Sequence, residues 1–572
     1  MKTLRVVAAT PKVKVADVDW NVGEIVGLCK EIASEANPSI IVFPELSITG
    51  YTCGDLFFQK TLIDGAARGL KRLCEETAGL KQTIVVGLPI LLDSMLLDAA
   101  VVIREGAVIG MVPKTHLTSD EARWFTSGPD SQLLDIHGVS VGISIGGILK
   151  LPAGAKLILC PAASPELAGK HARRKALLAA ETSRLGAACV YSCSGYGEST
   201  DNVVWAGSSL IYAGGVKLAE NERFRRESGW ISADIDLSAL HADPHAAFKP
   251  EPVDALDPHP FVPSDPALLE ERCREIFNIQ TTALMSRLEH IHCSKCVIGV
   301  SGGLDSTLAL LVICEAFDRL GYDRKGVYAV TMPCFGTSDR THSNAWKLMD
   351  GLGVTSMEIG IGDAVLQHFK DIGQDPSNHD VTYENSQARE RTQVLMDLAN
   401  KVGGTVIGTG DLSEIALGWC TYNGDHMSMY GVNADVPKTL IRAMVRIMAK
   451  GHACEDALID IVETPVSPEL VPGQVTENVV GPYELHDFFL VHFTRGETPS
   501  QILSYAVKAF DGTFTEEEIK RCLTIFLRRF FSQQFKRSCS PCAPQVFDVA
   551  LSPSAWRMPT DANVYLWLNM LD

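Results

Sequence analysis

The sequence predicts an α/β chain in two parts, a layered α/β sandwich over residues 1–240 and a doubly wound parallel sheet over residues 267–572. Three observations predict it. Apolar, β-branched runs alternate with helix-period segments along most of the chain. The first half adds two short strands about a tight turn, so its strands are not all parallel. Between them, the stretch "HADPHAAFKPEPVDALDPHPFVPSDP" (241–266) holds seven prolines. Fixed φ and missing N–H donors exclude a helix or central strand there, and it reads as a linker. A chain of 572 residues is also too long for a single core.

In the first half the strand "LRVVAAT" leads to the helix "DWNVGEIVGLCKEIASEA" and the strand "SIIVFPEL". A helix through "LIDGAARGLKRLCEET" precedes the strand "TIVVGLPI" and the hairpin "AAVVIREGAVIGMVPKT". Then come a strand opening "VSVGISIGGILKLP", the strand "AKLILCPAA", the helix "ARRKALLAAETSRLGAA" and the strand "CVYSCSG". The second half is more regular: strands "KCVIGV", "GVYAVTMP", "TSMEIGI" and "GTVIGTG" alternate with helices "STLALLVICEAFDRL", "HSNAWKLMDGL" and "NSQARERTQVLMDLANKV". A helical tail containing "EEEIKRCLTIFLRRFFSQQF" ends in a proline-punctuated stretch.

Composition narrows the function. A net charge of −18 argues against a nonspecific nucleic-acid surface. There is no apolar run of about 18 residues to span a membrane, and "MKTLRVV" reads as a first strand, not a leader. The 16 cysteines sit mostly in apolar strands and helices, which suits reduced core thiols in a cytoplasm. Two CxxC pairs, Cys293–Cys296 and Cys539–Cys542, have the ligand type of a zinc site. Their wide separation in a cysteine-rich chain favours coincidence, so no zinc is expected.

Chemistry concentrates after "KCVIGV", at Ser301-Gly302-Gly303-Leu304-Asp305-Ser306 followed by a helix. Two glycines allow a tight turn whose amides point at one anion, and the helix N-terminus adds positive potential. The arrangement suits a pyrophosphate. Asp305 stands where the usual phosphate loop has lysine, and a carboxylate beside phosphates makes sense as a Mg²⁺ ligand.

"SGGLDS" resembles the signature of the PP-loop ATP pyrophosphatases, which adenylate an oxygen and let a nitrogen displace AMP. "YENSQARERT" (383–392), "GTGDLSEIALGWCTYNGDHMSMYGVNADVPKT" (408–439) and "FFSQQFKRS" (530–538) are similar to the NAD+ synthetase family. "FPELSITGYTCGDLF" is similar to the nitrilase-like glutamine amidase domain that precedes it in the two-domain, glutamine-dependent members. The resemblance implies that Gly299, Val300, Ser301, Gly302, Gly303, Leu304, Asp305 and Ser306, with Thr409, bind ATP. It implies Mg²⁺ at Asp305 and Glu414. It implies a deamido-NAD site of Asn385, Glu414, Trp419, Cys420, Thr421, Tyr422 and Lys536. Asp425 and Lys438 fall where members stabilise the reacting phosphate and bound nucleotide. The implied substrates are deamido-NAD, ATP and ammonia, and the implied assembly is a homo-oligomer, with neither nucleic acid nor membrane as partner.

The amidase half departs from its pattern. The family works with a Glu–Lys–Cys triad. "IVFPELSITGY" places the base at Glu45 and "GMVPKTHL" the lysine at Lys114. The cysteine falls on Gly146, its flanking acids on Ser144, Gly147 and Ile148, and a tryptophan on Lys150, while Gly142, Ile145, Leu149 and Pro152 match. The stretch after Lys114 is rewritten as "HLTSDEARWF". Cys160 and Cys193 lie on other elements. The reading is therefore an ammonia-dependent NAD+ synthetase, a C–N-forming ligase whose amidase half is inactive. Two alternatives stay open: glutamine dependence through an unrecognised nucleophile, and a nucleotide-binding regulatory pseudoenzyme. The tail also differs, with Pro541-Cys542-Ala543-Pro544-Gln545 where the family has P-D-G-P-K, and "SAWR" where it has R-G-D-W-R.

Overall fold

A computed structural model describes residues 3–130, 132–147, 154–249, 254–464, 470 and 476–571. They fall into two compact units, Met1–Ser199 with Val204–Glu251, and Thr200–Val203 with Pro252–Asp572.

In the first unit β1 (Thr3–Thr10) is followed by α1 (Val18–Glu35), β2 (Ile40–Val42), α2 (Lys60–Thr77), β3 (Thr83–Leu92), β4 (Met95–Arg104) and β5 (Ala107–Pro113). Next come β6 (Leu134–Ile136), β7 (Val139–Ile143), β8 (Leu157–Ala162), α3 (Lys170–Leu185), β9 (Ala188–Cys193), β10 (Leu210–Ala213), β11 (Val216–Glu220) and β12 (Gly229–Asp236). They form two six-stranded sheets, ordered β12-β1-β2-β3-β4-β5 and β11-β10-β9-β8-β7-β6. Alternating side chains explain the layers. Leu4, Val6 and Ala8 of β1 join Leu157 and Leu159 of β8 between the sheets. Val7 and Ala9 pack outward with Val22, Ile25 and Leu73 of α1 and α2, while Ile158 and Cys160 pack with Leu178 of α3. With both faces covered, these strands are apolar almost throughout, which made them readable.

Two differences from the sequence reading lie in this unit. β7 ends at Ile143, and Gly146 lies on the loop beyond it, still beside β8 through Ser144 N–H to Leu159 O (3.0 Å) and Gly146 N–H to Pro161 O (2.8 Å). Ile148, Leu149, Lys150 and Pro152 lie outside the described residues. The strands β10 to β12 follow the last strand expected in this half. Gly214-Gly215 between β10 and β11 is the hairpin signal that marks them.

The second unit opens with α4 (Pro266–His290), a helix the sequence reading lacked. Pro266 ends the proline-rich stretch but occupies the first helical turn, where no N–H is needed, behind an Asp265 cap that accepts from Ala267 N at 2.8 Å. Thereafter β13 (Cys296–Gly299), α5 (Leu304–Leu320), β14 (Val327–Thr331), α6 (Asp339–Leu352), β15 (Thr355–Glu358), α7 (Gly362–Ile372), α8 (Val381–Val402), β16 (Thr405–Gly408), α9 (Leu412–Leu417), β17 (Tyr430–Gly431) and α10 (Lys438–Ala449) follow in turn. The sheet is parallel, ordered β15-β14-β13-β16-β17. The order reverses about β13, and such sheets bind ligands at the strand ends beside that point. The tail helices Tyr483–Thr494, Pro499–Ala509 and Glu516–Ser532 bury an aromatic core of Phe488, Phe489, Phe526 and Phe530 against Leu412 and Leu417 of α9. Among the described residues no helix is long and apolar enough to cross a membrane.

Candidate functional sites

Beyond the C-terminal ends of β13 and β16 lies a cavity of about 790 Å³. Val300 and Ser301, at the start of the loop after β13, form part of one wall. Gly302 has φ +85°, and a β-carbon there would stand 2.3 Å from Thr341 O, so only glycine lets the loop pass α6. Ser301 Oγ accepts from Gly303 N at 3.2 Å and contacts Ser306 Oγ at 3.2 Å, while α5 begins at Leu304.

Most of the residues singled out from the sequence line this cavity: Gly299, Val300, Ser301, Asp305, Ser306, Asn385, Thr409, Glu414, Trp419 through Tyr422, Asp425 and Lys536. Gly302, Gly303, Leu304 and Lys438 are not among its lining residues. The Trp419–Tyr422 wall is held from behind. Gly418, at φ +56°, ends α9, and Lys536 Nζ donates to Gly418 O (2.7 Å) and Cys420 O (2.6 Å). Thr421 donates its hydroxyl to Asn385 Oδ1 (2.7 Å) and its N–H to Asp425 Oδ1 (2.6 Å). Burial raises the Asp425 carboxyl despite that N–H and Lys536.

Beneath the cavity lies a buried lysine among three acids. Lys438 Nζ reaches Asp305 Oδ2 at 2.6 Å, Asp411 Oδ2 at 2.6 Å and Glu414 Oε1 at 2.9 Å. Lys438 and Asp411 are 4% and 0% exposed, whereas Asp305 and Glu414 retain 23%. Asp411 also caps α9, accepting from Glu414 N at 2.9 Å. Burial raises Glu414 to about 7 and Asp411 far above the carboxylate range, against the pull of Lys438. One carboxylate oxygen from each of Asp305, Asp411 and Glu414 lies within 4.8 Å of the others, and Asp305 Oδ1 is buried without a hydrogen-bond partner. Hard oxygens, one of them orphaned, fit a divalent cation such as Mg²⁺. The two CxxC pairs are not brought into one cluster among the described residues.

Sequence reasoning missed Asp411, which reads as an ordinary helix cap. It also missed Arg389, Arg391 and Arg529, three cations in the lining. Arg529 lies over the Trp419 ring at 5.1 Å and donates to Leu417 O at 2.9 Å.

The first unit contains a second lysine among acids. Lys114 Nζ donates to Glu45 Oε1 and to Glu121 Oε1 (2.7 Å), with Asp98 Oδ2 at 4.0 Å. Glu45 Oε2 accepts from Ala163 N (3.0 Å), and Tyr51 donates to Glu121 (2.6 Å). All four charged side chains are at most 5% exposed. Burial, then Glu45, drives Asp98 well above its ordinary value. Burial alone would lower Lys114, but Glu45, Asp98 and Glu121 outweigh it and leave its pKa raised. Glu121 sits in the rewritten "HLTSDEARWF" stretch, so no local pattern announced it.

Gly146 meets this cluster. A β-carbon on it would stand 2.9 Å from Lys114 Nζ and 3.6 Å from Glu45 Oε2, and its φ is +84°. Cys160 is packed in the apolar layer with Leu178 and Tyr191, and burial pushes its thiol far up. Cys193, in the same layer, is likewise raised by burial.

A parallel sheet with a glycine turn before a helix, an acid–lysine floor and a cationic wall is an arrangement suited to nucleotides. The NAD synthase family profile matches residues 276–523, and the carbon-nitrogen hydrolase profile matches residues 3–147. A glutamine-dependent NAD(+) synthetase of Mycobacterium tuberculosis is 36% identical over 665 residues, covering 100% of this chain and 98% of that protein. One of Thermotoga maritima is 28% identical, covering 98% of each. The crystal structure of a glutamine-dependent NAD(+) synthetase from Cytophaga hutchinsonii superposes with TM-score 0.81 over 100% of both chains at 21% identity. This chain belongs to the two-domain, glutamine-dependent NAD+ synthetase family, ligases that form a C–N bond.

Two outcomes follow from the packing. Lys114→Met leaves Glu45 and Glu121 buried without their cation and should cost about 3–5 kcal/mol of stability. Denaturant melts should show the double variant Lys114→Met/Glu45→Gln losing less than the sum of the singles. Gly302→Ala should lower the melting temperature of the protein, because the new β-carbon would displace the loop from Thr341 O.

Proposed function

We propose that this chain makes NAD+ from deamido-NAD, ATP and free ammonia at the cavity of the second unit, and that its amidase half releases no ammonia from glutamine. One observation carries the reading: Glu45 and Lys114 stand against a glycine at the position where the family pattern puts the nucleophile. Losing the nucleophile of such a unit costs on the order of 10⁶ in rate.

In this reading the amides of Ser301–Ser306 and the start of α5 hold the ATP phosphates, with Thr409 beside them. Asn385, Trp419–Tyr422 and Lys536 hold deamido-NAD, with Arg389, Arg391 and Arg529 offering charge to its phosphates. The nicotinate carboxylate, a poor electrophile, attacks the α-phosphate of ATP, pyrophosphate leaves, and ammonia then displaces AMP to give the amide. Asp425, on the cavity wall, stands where the family stabilises the reacting phosphate and the bound nucleotide. Lys438 holds Asp305, Asp411 and Glu414 together and lends positive charge to the phosphate end. Mg²⁺ bound by those acids would neutralise charge on the phosphates. The proposed location is the cytoplasm, and the proposed assembly a homo-oligomer.

The donor assay tests this. With ATP, Mg²⁺, deamido-NAD and ammonium, NAD+, AMP and pyrophosphate should form, faster at mildly alkaline pH where more free ammonia is present. Glutamine freed of contaminating ammonia should give only background. Turnover with glutamine comparable to that with ammonium, with glutamate accumulating, would overturn the reading. Gly146→Cys should not restore glutaminase activity. Its β-carbon would sit on a left-handed backbone that side chains disfavour and push against a lysine already bound by Glu45 and Glu121.

A further inference from the structure

The helix Tyr483–Thr494 belongs to the tail, yet two of its side chains turn toward the lysine–carboxylate floor. Asp487 is 2% exposed. It accepts from Ser413 Oγ at 2.5 Å, Thr439 Oγ1 at 2.6 Å and Thr439 N at 3.3 Å. Ser413 lies on α9 between Asp411 and Glu414, and Thr439 follows Lys438 at the start of α10. Ser413 Oγ in turn accepts from Lys438 N at 2.8 Å. One helical turn before Asp487, the Tyr483 ring lies 5.6 Å from Lys438 Nζ.

The first amides of α10 lack partners within their own helix. Here Lys438 N and Thr439 N are taken up by Ser413 and Asp487. One buried carboxylate thus joins the starts of the two helices that carry Asp411, Glu414 and Lys438. A buried carboxylate is costly unless its lone pairs are engaged, and packing alone would be served by an apolar side chain.

We infer that Asp487 is a positioning residue for the divalent-cation site: through Ser413 and Thr439 it sets α9 against α10 so that the three acids converge. The inference rests on the reading that Asp305, Asp411 and Glu414 hold Mg²⁺. It goes beyond that reading by assigning a role to a helix outside the sheet and to a residue that touches none of the ligands.

Mn²⁺ binding to the full-length protein, followed by electron paramagnetic resonance, tests it on four variants. Asp305→Asn should abolish tight binding. Asp487→Asn and Ser413→Ala should each weaken it about tenfold or more, the usual effect of losing a group behind a metal ligand. Their combination should add little, because both break one link. The weakening should appear with circular-dichroism melts that remain cooperative. If Asp487→Asn does not fold, Ser413→Ala alone decides. Unchanged affinity in Asp487→Asn and Ser413→Ala, with loss in Asp305→Asn, would overturn the positioning role and leave the metal site standing. If Asp305→Asn also binds as the unaltered protein does, both readings fall.

Discussion

The second unit depends on one ammonium group. Lys438 is the buried cation in contact with Asp305, Asp411 and Glu414, whose oxygens crowd within 4.8 Å. Without it, like charges at that spacing in a desolvated site could not all ionise. The surroundings serve that contact. Asp411 is at once a helix cap and a counter-ion, and the turn at Gly302 delivers Asp305 at the start of α5. Burial raises Glu414 to about 7 against the pull of Lys438.

The first unit repeats the arrangement with the opposite outcome. Lys114 is again held by three acids, but that cluster is closed, whereas Asp305 and Glu414 are partly open. A closed cluster of this kind binds strands together. Glu45 follows β2, Lys114 follows β5, Asp98 lies on β4, and Ala163 N at the end of β8 reaches Glu45. Such a cluster can hold a sandwich together whether or not it performs chemistry. That gives a physical reason for Glu45 and Lys114 to persist where the nucleophile position is glycine.

Both layered architectures were legible because buried strands are apolar on both faces and because turns carry glycine and proline. The turn before α5 was legible for the same reason, since Ser301–Ser306 is local in sequence. What escaped was non-local or disguised. Pro266 hid α4 because proline at a first helical turn looks the same as proline in a linker. Asp411 passed for a cap, and Glu121 sat in a stretch that departs from the expected pattern. Asp487 lies on the tail, 73 residues beyond Glu414 in sequence, and nothing in "YELHDFF" distinguishes it from a surface acid. Such residues are defined by what folds against them.

Gly146 carries a consequence for descent. A chain can lose a thiol there in one substitution, since removing a side chain leaves Lys114 to its acids and the sheets to their packing. Return is a different step. A β-carbon placed there would stand 2.9 Å from Lys114 Nζ at a φ of +84°, so a returning side chain must displace the lysine or the loop. Loss and regain are therefore unequal in strain.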